Sequence, residues 1–178
     1  NWYIDALKLT EKDRGLLLSA FGFDLTQKNL FALFASGGAL VIPEQEHYDP
    51  DYLAAALHRF DISLINGAPS AFYPLVDNEE REGYPYPKLR NAVLGGEPIR
   101  LQSLSRWLEK SGAGLMNSYG PTECTDVVAA WFFRSGTEDE AAFPIGAALP
   151  NTSLYVTDIL GRRLPIGATG ELRVAGIG

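Results

Sequence analysis

The chain has 178 residues, 46% hydrophobic and 21% charged, and its 15 basic and 22 acidic residues give a formal net charge of −7. That length and balance describe a globular chain able to bury a core, and exclude wholesale disorder. The acidic balance disfavours nucleic acid and anionic membranes, one cysteine (Cys124) excludes an intramolecular disulfide framework, and the apolar runs are too short to span a bilayer.

From the amino end, no basic and then apolar leader is visible, so a cytoplasmic protein is expected. Residues 15–20 form a short apolar run ending in a Phe21-Gly22-Phe23-Asp24 turn. Apolar residues at 30, 31, 33 and 34 predict a helix over 25–35, stopped by Gly37-Gly38. Ala39-Leu40-Val41-Ile42 reads as a buried strand ended by Pro43. Asp49 or Asp51 can cap a helix carrying Leu53, Ala56, Leu57 and Phe60 on one face. A strand over 62–65 leads into Asn66-Gly67-Ala68-Pro69, and Ser70 is placed to cap the next helix. Residues 77–88 hold charges, a glycine and two prolines, which predict an exposed loop. A strand over 89–94 runs into Gly95-Gly96-Glu97-Pro98. An amphipathic helix over 99–110 has Leu101, Leu104, Trp107 and Leu108 inside, and a strand over 114–117 enters the loop 118–123.

Repeated strand, turn and helix predict an α/β fold, a doubly wound and mostly parallel sheet with flanking helices. In such sheets ligands sit beyond the carboxyl ends of the strands. Those ends carry Phe23-Asp24, Asn66-Gly67, Gly95-Gly96-Glu97 and the 117–123 loop, so the site candidates converge on one edge. After a strand over 127–133 and a polar link over 134–141, short strands joined by turns indicate an antiparallel β unit. The expected division is 1–135 for the α/β part and 136–178 for the partial β part.

The strongest local signal is Asn117-Ser118-Tyr119-Gly120-Pro121-Thr122-Glu123. Gly-Pro fixes a tight turn beside four different functional groups. A tyrosine face can cover a planar base, a threonine hydroxyl can bond a phosphate, and a glutamate can hold Mg²⁺. By composition alone, a capped turn explains the same residues. Asp24 likewise has two readings, a helix N-cap or a carboxylate facing a ligand.

The order of residues 117–123 resembles the nucleotide-binding signature of adenylate-forming enzymes, specifically the adenylation domains of nonribosomal peptide synthetases. Phe23-Asp24-Leu25-Thr26, Leu94-Gly95-Gly96-Glu97 and Pro165-Ile166-Gly167-Ala168-Thr169-Gly170-Glu171-Leu172 resemble further motifs of that family, in the family's order. The resemblance implies that the last segment begins a β-barrel subdomain. It implies that Tyr119 stacks on adenine, with Asn117, Gly96, Glu97 and Gly120 also at the nucleotide. Thr122 would bond the α-phosphate and Glu123 would ligate Mg²⁺. Asp24 would bind the substrate α-ammonium, which separates amino-acid from fatty-acid activation. Leu25, Lys28, Asn66, Val93, Gly95, Ser118, Asp126 and Val127 would line the side-chain pocket. Charged Lys28 and Asp126 need partners in a closed pocket, either each other or the substrate, and they point to a polar or ionisable substrate side chain.

The implied reaction is amino acid + ATP → aminoacyl-AMP + pyrophosphate, then transfer to the phosphopantetheine thiol of a carrier protein. Carrier and condensation domains of the parent synthetase are the implied partners, alongside ATP and Mg²⁺. The family's phosphate loop, ribose-binding aspartate and C-terminal lysine are not in this sequence, so the segment alone is expected to be inactive. An acyl- or aryl-CoA ligase of the same superfamily, or a non-catalytic doubly wound binding module, are the other readings. His47, His58 and Cys124 fit no catalytic arrangement, the 79–82 charges read as a solvated loop, and Trp107 reads as core.

Overall fold

The computed structural model describes residues 2–45, 47–82, 86–133 and 143–177, apart from the side chains of residues 79–82. Helices α1 (Trp2–Leu7), α2 (Leu25–Ser36), α3 (Pro50–Arg59), α4 (Pro69–Glu82) and α5 (Ser105–Ser111) are interleaved with strands. These are β1 (Arg14–Leu17), β2 (Ala39–Val41), β3 (Leu64–Gly67), β4 (Asn91–Gly95) and β5 (Gly114–Tyr119), followed by β6 (Ala129–Phe133) and β7 (Ala147–Ala148). The seven strands form one sheet in the order β2-β1-β3-β4-β5-β6-β7. The pairs through β5 are parallel, and β6 and β7 add on antiparallel. β8 (Thr152–Thr157) and β9 (Glu171–Gly176) make a separate antiparallel pair.

The sheet is covered on both faces because its strands are apolar on both. Successive strand side chains alternate in direction, so β4 sends Ala92 and Leu94 into one cluster and Val93 into the other. The first cluster contains Leu53 and Leu57 of α3, Phe72 and Leu75 of α4, and Trp107 of α5. Phe72 and Trp107 meet edge to face at 5.1 Å, so Trp107 is core as expected. The second cluster takes Leu7 of α1 and Ala32 and Leu33 of α2. This two-sided burial is the physical content of a doubly wound fold.

Several local expectations are corrected. Residues 77–82, read as loop, continue α4, and the charges are the polar run of a helix rather than a turn. Buried Tyr86 donates to the Leu75 carbonyl, holding the chain after α4 against that helix. Ser70 does not cap α4; it lies inside the first turn, and Glu97 accepts from both its N–H and its hydroxyl. Asp49, not Asp51, caps α3, accepting from Asp51 N and Tyr52 N ahead of Pro50. The amphipathic stretch before β5 is broken into a 3-10 turn over Leu101–Ser103 and a shorter α5. The buried stripe of α2 is Thr26, Asn29, Ala32 and Leu33, whereas Phe31 and Phe34 are exposed. Helix α1 and strand β7 were not anticipated; β7 lies beyond residue 136 yet completes the large sheet. The polar link at 134–141 falls outside the described residues.

Candidate functional site

The carboxyl ends of β3, β4 and β5 lie side by side, since Asn66 pairs with Val93 and Gly95 with Ser118 in register. β1 runs parallel to β3, so the Phe21–Asp24 turn after it reaches the same edge. Glycine is required where these ends touch. A Cβ on Gly95 would lie 2.5 Å from both the carbonyl oxygen and Oγ of Ser118, and Gly96 turns with φ +82°. After β5, Gly120 lies so close to the Asp126 backbone that a Cβ there would meet its carbonyl oxygen at 1.6 Å. The loop is therefore folded back on itself. Thr125 and Asp126 complete the turn in left-handed conformations, φ +60° and +78°. Such backbone costs on the order of 1–3 kcal/mol per residue and persists where surrounding contacts enforce it.

The fold-back brings the loop onto α2. Asp24 acts as the helix cap, with Oδ1 accepting from Leu25 N at 2.7 Å, and its Oδ2 accepts from the Thr122 hydroxyl at 2.6 Å. One turn along, Lys28 meets Asp126, with Nζ 3.0 Å from Oδ1 and 2.9 Å from Oδ2. Only the Oδ1 contact has hydrogen-bond geometry, so Oδ2 remains a buried acceptor without a hydrogen-bond partner. Both side chains are largely buried, 11% and 13% exposed. Burial pushes the Lys28 ammonium below its ordinary range and the Asp126 carboxyl above its own, and each charge holds the other against that push. Of the two partners left open by the sequence, each other or a substrate, the structure shows the two residues meeting each other.

Asn66 is wholly buried at the end of β3. Its Nδ2 donates to Leu25 O at 3.0 Å, and its own carbonyl accepts from Asn29 Nδ2 at 3.3 Å. Val93 is buried on the sheet face that α1 and α2 cover. Buried Ser118 donates to the Leu94 carbonyl at 3.3 Å. Asp24, Leu25, Asn66 and Thr122 are therefore linked by hydrogen bonds, Lys28 and Asp126 pair one turn along α2, and Gly95 and Ser118 pack together. Val127 follows Asp126 and is half-buried. Tyr119 ends β5 and is partly exposed, and Glu123 is exposed on the 3-10 turn Thr122–Cys124.

Two expected nucleotide contacts have intramolecular partners. Glu97 holds the first turn of α4 through Ser70, at 2.8 and 3.1 Å. Asn117 is buried, and its Nδ2 donates to Pro144 O at 2.8 Å. Two residues that were not singled out also matter. Asn29 orients Asn66, and buried Thr26 ties α2 to the preceding turn through Ala20 O (2.9 Å) and the Ser19 hydroxyl (2.7 Å). Thr26 and Asn29 stand three apart on the buried face of α2. His47 is exposed, and His58 lies against Tyr86 with ring centres 5.2 Å apart. Neither joins the site. Among the described residues, no group of three or more His, Cys, Asp or Glu side chains gathers to hold a metal, and no helix is long and apolar enough to cross a membrane. A cavity of about 510 Å³, lined by Lys8, Lys12, Asp13, Arg14 and Arg90 among others, opens at the amino ends of the strands, away from this edge.

Similarity to known proteins matches this geometry. The family described as AMP-binding enzyme matches residues 1–178. Bacitracin synthase 3 of Bacillus licheniformis is 36% identical over 99% of the chain, which spans 3% of that protein. The dimodular nonribosomal peptide synthase of Bacillus subtilis (strain 168) is 33% identical over 98% of the chain, which spans 7% of it. The crystal structure of the nonribosomal peptide synthetase FmoA3 (S1046A) superposes with a TM-score of 0.91 at 27% identity, over 97% of this chain and 19% of that one. Its form bound to alpha-methyl-L-serine-AMP superposes at 0.87 with 27% identity, over 94% and 19%. The form bound to AMPPNP does so at 0.89 with 28% identity, over 97% and 19%. The chain thus spans a small part of each relative.

Proposed function

The chain belongs to the AMP-binding enzyme family, and from that premise we propose that it is part of an amino-acid-activating adenylation domain of a nonribosomal peptide synthetase. The reaction is amino acid + ATP → aminoacyl-AMP + pyrophosphate, followed by thioesterification to a carrier protein. The observation that carries this reading is the 2.6 Å contact between Asp24 and Thr122 at the carboxyl edge of the sheet. It joins, across 98 residues of sequence, a carboxylate suited to an ammonium and a hydroxyl suited to a phosphate. A hydroxyl has one proton to donate. A phosphate oxygen taking it from Asp24 would leave Oδ2 free for the ammonium, so the two ligands fit the same pair of side chains.

In this reading the amino-acid carboxylate attacks the α-phosphorus and pyrophosphate leaves. Asp24 anchors the ammonium, and Thr122 donates to the α-phosphate. Tyr119 offers its ring to adenine beside Gly96 and Gly120, while Glu97 and Asn117 shape the walls through Ser70 and Pro144. Glu123 suits Mg²⁺, because that ion keeps several waters and takes one or two carboxylates together with substrate phosphates. The exposed Glu123 next to Thr122 meets that need. Mg²⁺ would supply charge stabilisation at the phosphates. Leu25, Lys28, Asn66, Val93, Gly95, Ser118, Asp126 and Val127 line the side-chain pocket, and the substrate side chain is polar or ionisable.

The partners are the phosphopantetheine-bearing carrier domain and the condensation domain of the parent synthetase. A free carrier thiol and ATP place the parent in the cytoplasm. We assign residues 1–135 to the α/β subdomain and 136–178 to the first part of a β subdomain, with β7 returning to the edge of the large sheet, and the segment alone is inactive. Calorimetry with an aminoacyl-sulfamoyl-adenosine tests the reading on the intact parent. Tight binding that Asp24→Ala weakens supports it, whereas equal binding of an acyl-sulfamoyl-adenosine lacking the α-ammonium contradicts it.

A further inference from the structure

The cavity of about 510 Å³ at the amino ends of β1, β3 and β4 has the volume of a small-molecule site. Arg90 and Gly95 are five residues apart along β4, about 16 Å at the rise of a strand, so this opening is well removed from the Gly95 and Ser118 edge. Five of its lining side chains are cationic and two are carboxylates, in a chain whose net charge is −7. A third of the chain's 15 basic residues thus surround one opening. The floor is fully bonded. Asp13, 2% exposed, accepts from Thr10 N at 2.8 Å, Ser63 Oγ at 2.7 Å and Arg90 Nη2 at 2.6 Å. Its charge is spent on these fixed partners, and it holds Arg90 in place with 48% of that side chain still exposed. The rim is different. Lys8, Lys12, Arg14 and Lys88 are exposed, and among the described residues none of them has a carboxylate partner. With Asp13 matched to Arg90, the lining leaves Asp61 alone against four cations. Like charges on a concave wall focus their field into the opening and concentrate counter-ions there.

We propose that this cavity is a second anion site, separate from the carboxyl edge, which binds a small molecule carrying two or more linked phosphates. The proposal does not rest on the adenylation reading. Charge sets the size of the ligand. Five cations and two carboxylates leave a surplus of three positive charges, more than the charge of about −2 that one phosphate group brings. Donor chemistry sets its type. Lysine and arginine side chains only donate, three N–H groups from each ammonium and five from each guanidinium. A chain of linked phosphates is the complement, since its outer oxygens only accept and its charge is spread along its length. The forks of Arg14 and Arg90 suit paired phosphate oxygens, and the lysines serve as point charges on the remainder. Asp13 fixes one of those forks in advance, which lowers the ordering cost of binding.

The test is titration calorimetry of the intact parent synthetase with inorganic tripolyphosphate at low salt, and with citrate as a polycarboxylate of comparable charge. Three proteins are compared: the wild type, Lys12→Gln with Lys88→Gln, and Arg163→Gln with Arg173→Gln. The last pair removes the same charge from exposed positions beside and on β9, outside the cavity. Thermal unfolding without added anion checks that each variant is folded, and Lys8→Gln reads the same cavity from a different loop. The expected result is a tripolyphosphate binding event whose Kd rises about tenfold or more in Lys12→Gln with Lys88→Gln, the scale for hydrogen bonds to a charged group. Lys8→Gln weakens the same event, the β9 pair of substitutions leaves it unmoved, and citrate binds at least about tenfold more weakly. Tripolyphosphate binding that is unaffected by the three lysines overturns the site. An equal loss in Arg163→Gln with Arg173→Gln means a general response to net charge, and overturns it as well. Citrate binding as tightly as tripolyphosphate overturns the phosphate class.

Discussion

Asp24 shows how a single residue carries two meanings that sequence alone leaves unresolved. Its position before an apolar run fits a cap, and its place in a family motif fits a ligand group; one oxygen caps α2 and the other meets Thr122, the contact on which the proposed ligand role rests. Replacing Asp24 with Ala in the intact parent should lower kcat/KM for the amino acid by about ten- to a hundredfold, the range for one hydrogen bond to a charged group. Exchange kinetics at saturating ATP would measure it, and an unchanged kcat/KM would remove Asp24 from the site. Lys28 and Asp126 were recognisable as an unusual pair, but their contact depends on Gly120 and on the left-handed Thr125 and Asp126, which no periodicity announces. Lys28→Met alone should destabilise the fold by about 3 kcal/mol, because it strands a largely buried carboxylate. Adding Asp126→Asn, which removes the charge and still tolerates the left-handed backbone, should restore most of that loss, and denaturant titration of the variants gives the comparison. Asn29 escaped notice because its role rests on a hydrogen bond to the Asn66 backbone carbonyl, 37 residues away, which no local pattern announces.

At the scale of elements, turns and apolar runs located every strand of the parallel sheet to within a few residues, because glycine and proline punctuate them. Polarity misled in α4, where the helix runs on through Glu82, and α2 buries Thr26 and Asn29 while exposing Phe31 and Phe34. The amino ends of β1, β3 and β4 are tied by Asp13, which accepts from Thr10, Ser63 and Arg90. Burial pushes its carboxyl up, but Arg90, Ser63 and Thr10 together outweigh burial and hold it below the ordinary range. A folded-state pKa below the unfolded one stabilises the fold above the unfolded value, about 3.9. That stability is lost as pH falls through the lower, folded value. Asp13→Asn should therefore flatten the acid side of the stability profile below about pH 4. Urea midpoints across pH 2–7 would test it, and an unaltered acid limb would argue against Asp13 as the tie.

The whole molecule presents apolar surface that its own described residues do not cover. Phe21, Phe23, Phe31 and Phe34 are each more than half exposed, around the turn and helix that carry Asp24. Contiguous apolar patches of this kind drive association. The isolated 178-residue segment should self-associate, and Phe31→Ser with Phe34→Ser should shift it toward monomer in sedimentation velocity; a monomeric wild-type segment would contradict this. The charge of −7 also gains meaning at this scale. In the proposed reading, phosphate binding by an acidic chain would rest on local donors such as Thr122 and on Mg²⁺ rather than on a general positive field. Amino-acid activation at the carboxyl edge of the sheet, as proposed, is tested by ATP–pyrophosphate exchange by the intact parent with purified amino acids and, in parallel, fatty and aryl acids. Exchange should depend on an amino acid with a free α-ammonium and collapse in Asp24→Ala. Exchange supported equally by acids lacking that group, and indifferent to Asp24→Ala, would contradict it.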